Sequence, residues 1–286
     1  MRVFARATVM CFLALAAACG NVDEQLIEGV DATDLDKADG PAYRVTLTAP
    51  ASLMGGRATT LTLTVKDSEA KAVERYDVEH TKKFHLIVVS RDLSYFTHLH
   101  PTYRSAGKFT VSWTSPDFDD SYHLFAQFKP AGKATRTILV PLHVPGLSIK
   151  TPAPVAPDTV LSNTQGRNTL MLVRPSGGFK KGVATLSFMV HDARTGAMVT
   201  DLGTFLGARA HVIGVMAGVN GAVFFHGHDM GDMAGMDHGA HGGAMSSDGE
   251  LRFDIRFARA GVYRLWVQYN RAGTDVTQVF TVRVSG

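Results

Sequence analysis

Past its first nineteen residues the chain has no cysteine, since Cys11 and Cys19 are its only two. That excludes a disulfide framework, a zinc ribbon, a redox CxxC centre and a cysteine nucleophile. No segment carries a convincing 3.6-residue apolar period, so helices are not expected. There is no G-x-S-x-G or comparable nucleophile context, so a serine-based hydrolase has no support. A charge excess is missing as well: without Arg2 and Arg6, 27 basic residues face 26 acidic ones, which argues against a nucleic-acid partner.

What is present begins with a leader. Arg2 and Arg6 precede an apolar stretch from Ala7 to Ala18 that is too short to serve as a stable membrane span and ends in Ala-Ala-Ala-Cys. Residues 1–19 are therefore expected to be a signal peptide. Leu15-Ala-Ala-Ala-Cys19 resembles a bacterial lipobox with its Leu one place further upstream than usual. Lipidation of Cys19 and plain cleavage are the two outcomes, the first anchoring the protein to a membrane in the periplasm or at the outer membrane. Residues 20–40 hold Asp23, Glu24, Glu28, Asp31, Asp34, Asp36 and Asp39 against one lysine, and are expected to be an acidic tether.

From Tyr43 onward, short alternating segments are separated by turn residues. YRVTLTAP, ATTLTLTVKD, FHLIVVS, YFTHLHP, KFTVSW, YHLFAQF and TRTILVPLHV each predict a strand, and seven in about a hundred residues predict an immunoglobulin-like sandwich. The second half repeats the first. Pro50 aligns with Pro175, Asp67 with Asp192, Tyr122 with Tyr263 and Gln127 with Gln268. The expected fold class is all-β, with two tandem immunoglobulin-like β-sandwich domains at 41–146 and 169–286. Pro152, Pro154 and Pro157 predict a stiff extended linker over 147–168.

Each copy carries one histidine early in a strand and an H-x-H pair on the next: His85, His98 and His100, then His211, His226 and His228. A hairpin turning on Asp92-Leu93 places His85 across from His100, with His98 on the same face because side chains alternate along a strand. An even-length turn, such as one on Asn220-Gly221, gives the second copy the same facing. Three imidazoles on one hairpin face can converge on one metal ion with room for a fourth ligand. An odd-length turn puts His85 on the other face, and strand histidines also serve simply as hydrogen-bonding or stacked residues.

The copies differ most after the second H-x-H. His100 to Gly107 encloses six residues, whereas His228 to Gly249 encloses twenty. The insertion, placed at 226–248, adds His238, His241, Met230, Met233, Met236 and Met245, interleaved with aspartates and glycines. Thioethers favour Cu(I), imidazole suits both copper oxidation states, and glycine frees the chain to wrap an ion. Zinc or nickel accounts for the histidines but not for the methionines, and a packed hydrophobic loop accounts for the methionines but not for their histidine and aspartate neighbours.

FHLIVVSRDLSYFTHLHP and YHLFAQFKPAG resemble the YtkA-like domain of exported bacterial proteins, and AHVIGV, FFHGHD and GVYRLWVQY resemble a further copy. That resemblance implies an immunoglobulin-like β-sandwich and an association with copper handling. MDHGAH is similar to the Met/His repeats of periplasmic copper-resistance proteins. The expected function is copper sequestration or delivery in the envelope, without catalysis, with copper ions and a periplasmic donor or acceptor protein as partners. The alternative is a structural or adhesive module with no metal role. Metal-dependent oxidation at a three-histidine site ranks last, because a surface hairpin offers no evident substrate pocket.

Overall fold

The computed structural model describes residues 24–28, 30–31, 42–151, 154–218, 223–229 and 249–286. The described residues are all-β and form two tandem immunoglobulin-like β-sandwiches. In the first, one sheet runs β1 (Glu24–Glu28), β3 (Arg44–Pro50), β4 (Ala58–Lys66), β8 (Lys108–Thr114) and β7 (Thr102–Tyr103). The facing sheet runs β2 (Val30–Asp31), β10 (Arg136–Val144), β9 (Phe118–Phe128), β5 (Phe84–Ser90) and β6 (Phe96–Leu99), with β11 (Ser148–Ile149) parallel to β9. The second sandwich pairs β12 (Ser162–Gln165), β13 (Asn168–Leu172), β15 (Gly182–Asp192) and β19 (Glu250–Phe257) against a second sheet. That sheet runs β14 (Phe179–Lys180), β21 (Thr274–Ser285), β20 (Gly261–Arg271), β17 (Ala210–Met216) and β18 (Phe224–Asp229), with β16 (Leu202–Gly203) on β20.

Most strands alternate buried and accessible positions, as a half-covered antiparallel sheet requires; β3 reads exposed, buried, intermediate, buried along its length. Two strands depart from this. All of β5 and nearly all of β17 are buried on both faces. Phe84, Leu86 and Val88 face their own core, while Ile87 and Val89 face away and join Phe125, Ile213, Val215 and Trp266 in a third core between the domains. The two β5/β17-containing sheets therefore pack face to face. Phe96 stacks on Trp266 (centroids 4.9 Å) and Phe224 stacks on Phe125 (4.3 Å). In the repeat, Phe96 corresponds to Phe224 and Phe125 to Trp266, so one contact occurs twice about a pseudo-twofold axis, as at an isologous dimer interface.

Two expected connectors are more structured than anticipated. Part of the acidic segment 20–40 adds β1 to the first sheet, pairing from Glu24 opposite Pro50 to Glu28 opposite Thr46, and Ile27 packs on the first core. An edge strand gains a full hydrogen-bond ladder from its neighbour, so it needs little apolar content of its own. The 147–168 segment is docked along much of its length rather than free. Lys150 bonds Asp92 (2.7 Å) and Asp120 (3.0 Å), Val155 packs in the third core, and Asp158 accepts the Thr281 amide at 2.7 Å. Residues 162–165 already belong to the second sandwich.

Gly107 and Gly249 fix where both hairpin loops return. Their carbonyls accept the Val65 and Val190 amides at 2.9 and 2.7 Å, and both residues are left-handed, at φ 72° and 83°. A Cβ at Gly107 would lie 2.4 Å from the Val65 carbonyl oxygen. Gly107→Ala is expected to destabilise the first domain by about 1–3 kcal/mol through backbone strain, read by chemical denaturation. A loss under about half a kcal/mol, the range of featureless surface changes, would show that this return is not fixed.

Candidate metal centre

The histidine hairpins fold in register. Leu86 pairs with Leu99 and Ile87 with His98, which extends to His85 opposite His100; in the second copy His211 lies directly opposite His228. All six side chains point away from their own cores, on the face that β5 and β17 turn toward the other domain. The two triads therefore meet. Ring centroids of His98 and His226, one from each domain, are 5.1 Å apart, and those of His85 and His226 are 5.5 Å apart. Separations inside a triad are no smaller in kind: 5.3 Å for His85–His98 and 5.2 Å for His211–His226. One nitrogen each from His85, His98 and His100 lies within 4.8 Å of the others, and so does one each from His98, His211 and His226.

The hydrogen bonds repeat with the fold. His85 Nε2 donates to the Glu79 carbonyl (3.1 Å), and His211 Nε2 donates to the Phe205 carbonyl (3.0 Å). A carbonyl oxygen only accepts, so both Nε2 atoms carry the proton and both Nδ1 atoms are bare. His98 Nδ1 meets Gln268 Oε1 at 2.9 Å, and His226 Nδ1 meets Gln127 Oε1 at 2.7 Å. In that orientation the amide oxygen also only accepts, which leaves Nε2 of His98 and His226 bare. The bare atoms face each other: His85 Nδ1 to His98 Nε2 and His211 Nδ1 to His226 Nε2, both at 3.0 Å. Two lone pairs at that distance repel unless a positive charge lies between them.

A proton is a poor candidate for that charge. Burial pushes all six imidazoles below their ordinary pKa, and neighbouring histidines add to the effect for most of them, taking His100 and His211 to about 3. A metal cation fits better. Two nitrogens bound tetrahedrally at about 2.0–2.1 Å stand roughly 3.3 Å apart, a few tenths of an ångström from what is present. Each copy also holds a buried nitrogen with no hydrogen-bond partner, Nε2 of His100 and Nε2 of His228, and His100 gathers with His85 and His98 as a third donor. A ligating imidazole ordinarily donates its other N–H to a carbonyl or carboxylate, and the contacts to Glu79, Phe205, Gln268 and Gln127 are of that kind.

Three contributors escaped the sequence reading. Gln127 and Gln268 are visible there as a repeated pair, yet their reach into the opposite domain depends on docking. His80 has no counterpart in the second copy, where Leu206 takes its place in the equivalent turn. His80 and Thr81 are consecutive left-handed residues (φ 47° and 66°), and the turn lays the His80 ring on His228 with centroids 3.4 Å apart. Met230, Met233, Met236, His238, His241 and Met245 lie outside the described residues, as do Cys19 and Asn220-Gly221. The described chain leaves the β18 sheet after Asp229, the residue next to His228, and resumes at Gly249, just before β19 of the facing sheet.

The family model described as a domain of unknown function (DUF8832) matches residues 36–145 and 172–286. No curated protein matches the chain. Among solved structures, the chain is similar to the Escherichia coli adhesin FdeC, at 17% identity and TM-score 0.27, over 87% of this chain and 66% of that one. It is also similar to Escherichia coli alpha-2-macroglobulin, at 11% identity and TM-score 0.24, over 86% of this chain and 26% of that one. The FN1–FN3 domains of chicken CNTN1 match at 9% identity and TM-score 0.21, over 84% and 78%. The chain thus spans under two thirds of the length of the first two.

Proposed function

The chain belongs to the DUF8832 family, and from that premise we propose that it is a copper-binding protein of the bacterial envelope that sequesters or delivers the ion. The observation that carries this reading is the pair of facing bare nitrogens in each domain, each pair beside a ring whose buried Nε2 has no hydrogen-bond partner. Imidazole triads take several late transition metals, and among divalent ions copper binds such donors most tightly. The methionines from Met230 to Met245 then bias the choice, since thioethers are soft ligands for Cu(I). In this reading the loop, with His238 and His241, collects the ion and passes it to the strand histidines two residues upstream. Cys19 supplies a lipid anchor, and a periplasmic donor or acceptor protein completes the route. The resemblance to the YtkA-like domain and to the Met/His repeats of copper-resistance proteins supports the same direction.

A second reading, a tandem structural or adhesive module without a metal, is favoured by one feature of the network. The Gln268 and Gln127 amide nitrogens reach only the Thr277 and Thr137 hydroxyls, at 3.2 and 3.4 Å, and a hydroxyl serves either face of an amide. With both amides turned over, each would donate to its histidine and the chain of protons would close with no cation.

Titrating the chain with Cu(I) against a chromogenic chelator separates the readings, beside a variant lacking Met230 to Met245. Copper handling predicts that the full chain outcompetes the chelator and that the variant keeps the strand-histidine portion of the capacity. Absence of competition by both forms would leave the structural module standing alone.

A further inference from the structure

We propose that the two triads are halves of one dinuclear centre, which holds two late transition-metal ions across the domain interface and closes only when the domains are docked. This rests on the metal-binding reading above and adds what the separate hairpins do not imply.

A single ion takes about four such donors, and His80 together with the six strand imidazoles exceeds that number. The donors also divide naturally. The first domain gathers three nitrogens for one ion, from His85, His98 and His100; the second presents the facing pair of His211 and His226, with the unpartnered Nε2 of His228 on the neighbouring ring. The halves are not independent, because the group that orients each triad's central histidine comes from the other domain. Gln268 of the second domain holds His98 of the first, and Gln127 of the first holds His226 of the second. His98 lies within ligand reach of His211 and His226 as well as of its own triad. The paired stacks of Phe96 on Trp266 and Phe224 on Phe125 fix the approach of the two sheets at the same interface. Protein two-metal sites place their ions roughly 3.5–4 Å apart, and triads whose nearest rings, His98 and His226, meet edge to face at 5.1 Å hold their donors close enough for neighbouring ions. Gln127 and Gln268 are thus positioning residues that act in trans between domains. His80, laid on His228, covers the second half from the first domain.

The test uses the full chain with His238→Ala and His241→Ala, so that the loop offers no imidazole, loaded with Cu(II). Metal content per chain and the spin-visible fraction by electron paramagnetic resonance are both measured. The expected result is two ions per chain with a spin signal well below the copper content, because adjacent Cu(II) ions couple. In the same background, Gln268→Leu is expected to weaken one of the two ions by about 10–100-fold and restore a mononuclear signal from the other. Gln268→Glu, which still accepts from Nδ1–H, is expected to keep the coupled pair. One ion per chain, or two with full spin intensity, overturns the dinuclear centre and leaves metal binding intact. Unchanged affinity and coupling in Gln268→Leu overturns the support in trans. No bound copper removes the metal-binding reading itself.

Discussion

Trp266→Ala is expected to uncouple the two domains without unfolding either. Trp266 is 3% exposed and belongs to the core between the domains, together with Ile87, Val89, Phe125, Ile213 and Val215, and to neither sandwich core. Removing a buried Trp costs about 3–5 kcal/mol, and here that cost falls on docking. Phe96 loses its stacking partner, and the outer faces of β5 and β17 lose the surface that covers them. One cooperative denaturation should therefore divide into two. Trp113, the only other tryptophan, sits in the first sandwich core, so in the variant its fluorescence follows that domain alone. The inferred dinuclear centre should fail with the interface, since each Gln–His contact crosses it. A single transition displaced by less than about 1 kcal/mol, the size of an ordinary point mutation, would show that the interface contributes little to holding the domains together.

Much of this architecture is legible in the sequence, because local periodicity and duplication are strong signals. The strands alternate as their residues do, and a hairpin centred on Asp92-Leu93 predicts the pairing seen at Ile87 and His98. The docking of the two sandwiches is less legible, although its trace is there. FHLIVVS and AHVIGVM are apolar at nearly every position, whereas a strand with one wet face alternates. An antiparallel strand without alternation is covered on both sides, and in each copy that strand is the one bearing the first histidine. The strand pairing of parts of 20–40 and 147–168 is hard to read for a related reason. Composition reports whether a segment can build a core, but not whether an existing sheet edge will accept it as a strand.

The site was half legible. Two triads are visible as repeated residues, but their convergence is a tertiary fact that no spacing encodes. Duplication even works against one member of the cluster. His80 occurs in a single copy, so an argument built on repetition passes over it, while Gln127 and Gln268 repeat but look like ordinary strand residues until the opposite domain is in place. A pseudo-twofold axis turns one ancestral hairpin into two half-sites that face each other. Contacts that would join two subunits of a homodimer here join two domains of one chain.

Acid is expected to open this interface in the metal-free protein before it unfolds either sandwich. The six strand histidines have folded pKa values below their ordinary 6.5, His100 and His211 at about 3. The undocked state therefore binds more protons wherever the pH lies between the two values. Stability is complete above about pH 6.5 and falls as pH drops through that window toward 3. His211 is fully buried, and at pH 5 its share of the loss is about 2 kcal/mol. Its five partners add to this, but the total is capped. Once it exceeds the free energy of docking, the domains separate, the imidazoles reach water, and the penalty ends with both sandwich cores intact. Denaturation at pH 7.5 and at pH 5, followed by the fluorescence of Trp266 at the interface and Trp113 in the first core together, should show one transition at the higher pH and two at the lower. Copper loading should move the opening to lower pH, because a nitrogen bound to metal is closed to the proton and must release the ion before it can charge. An interface equally stable at both pH values would mean that these histidines already meet water when docked.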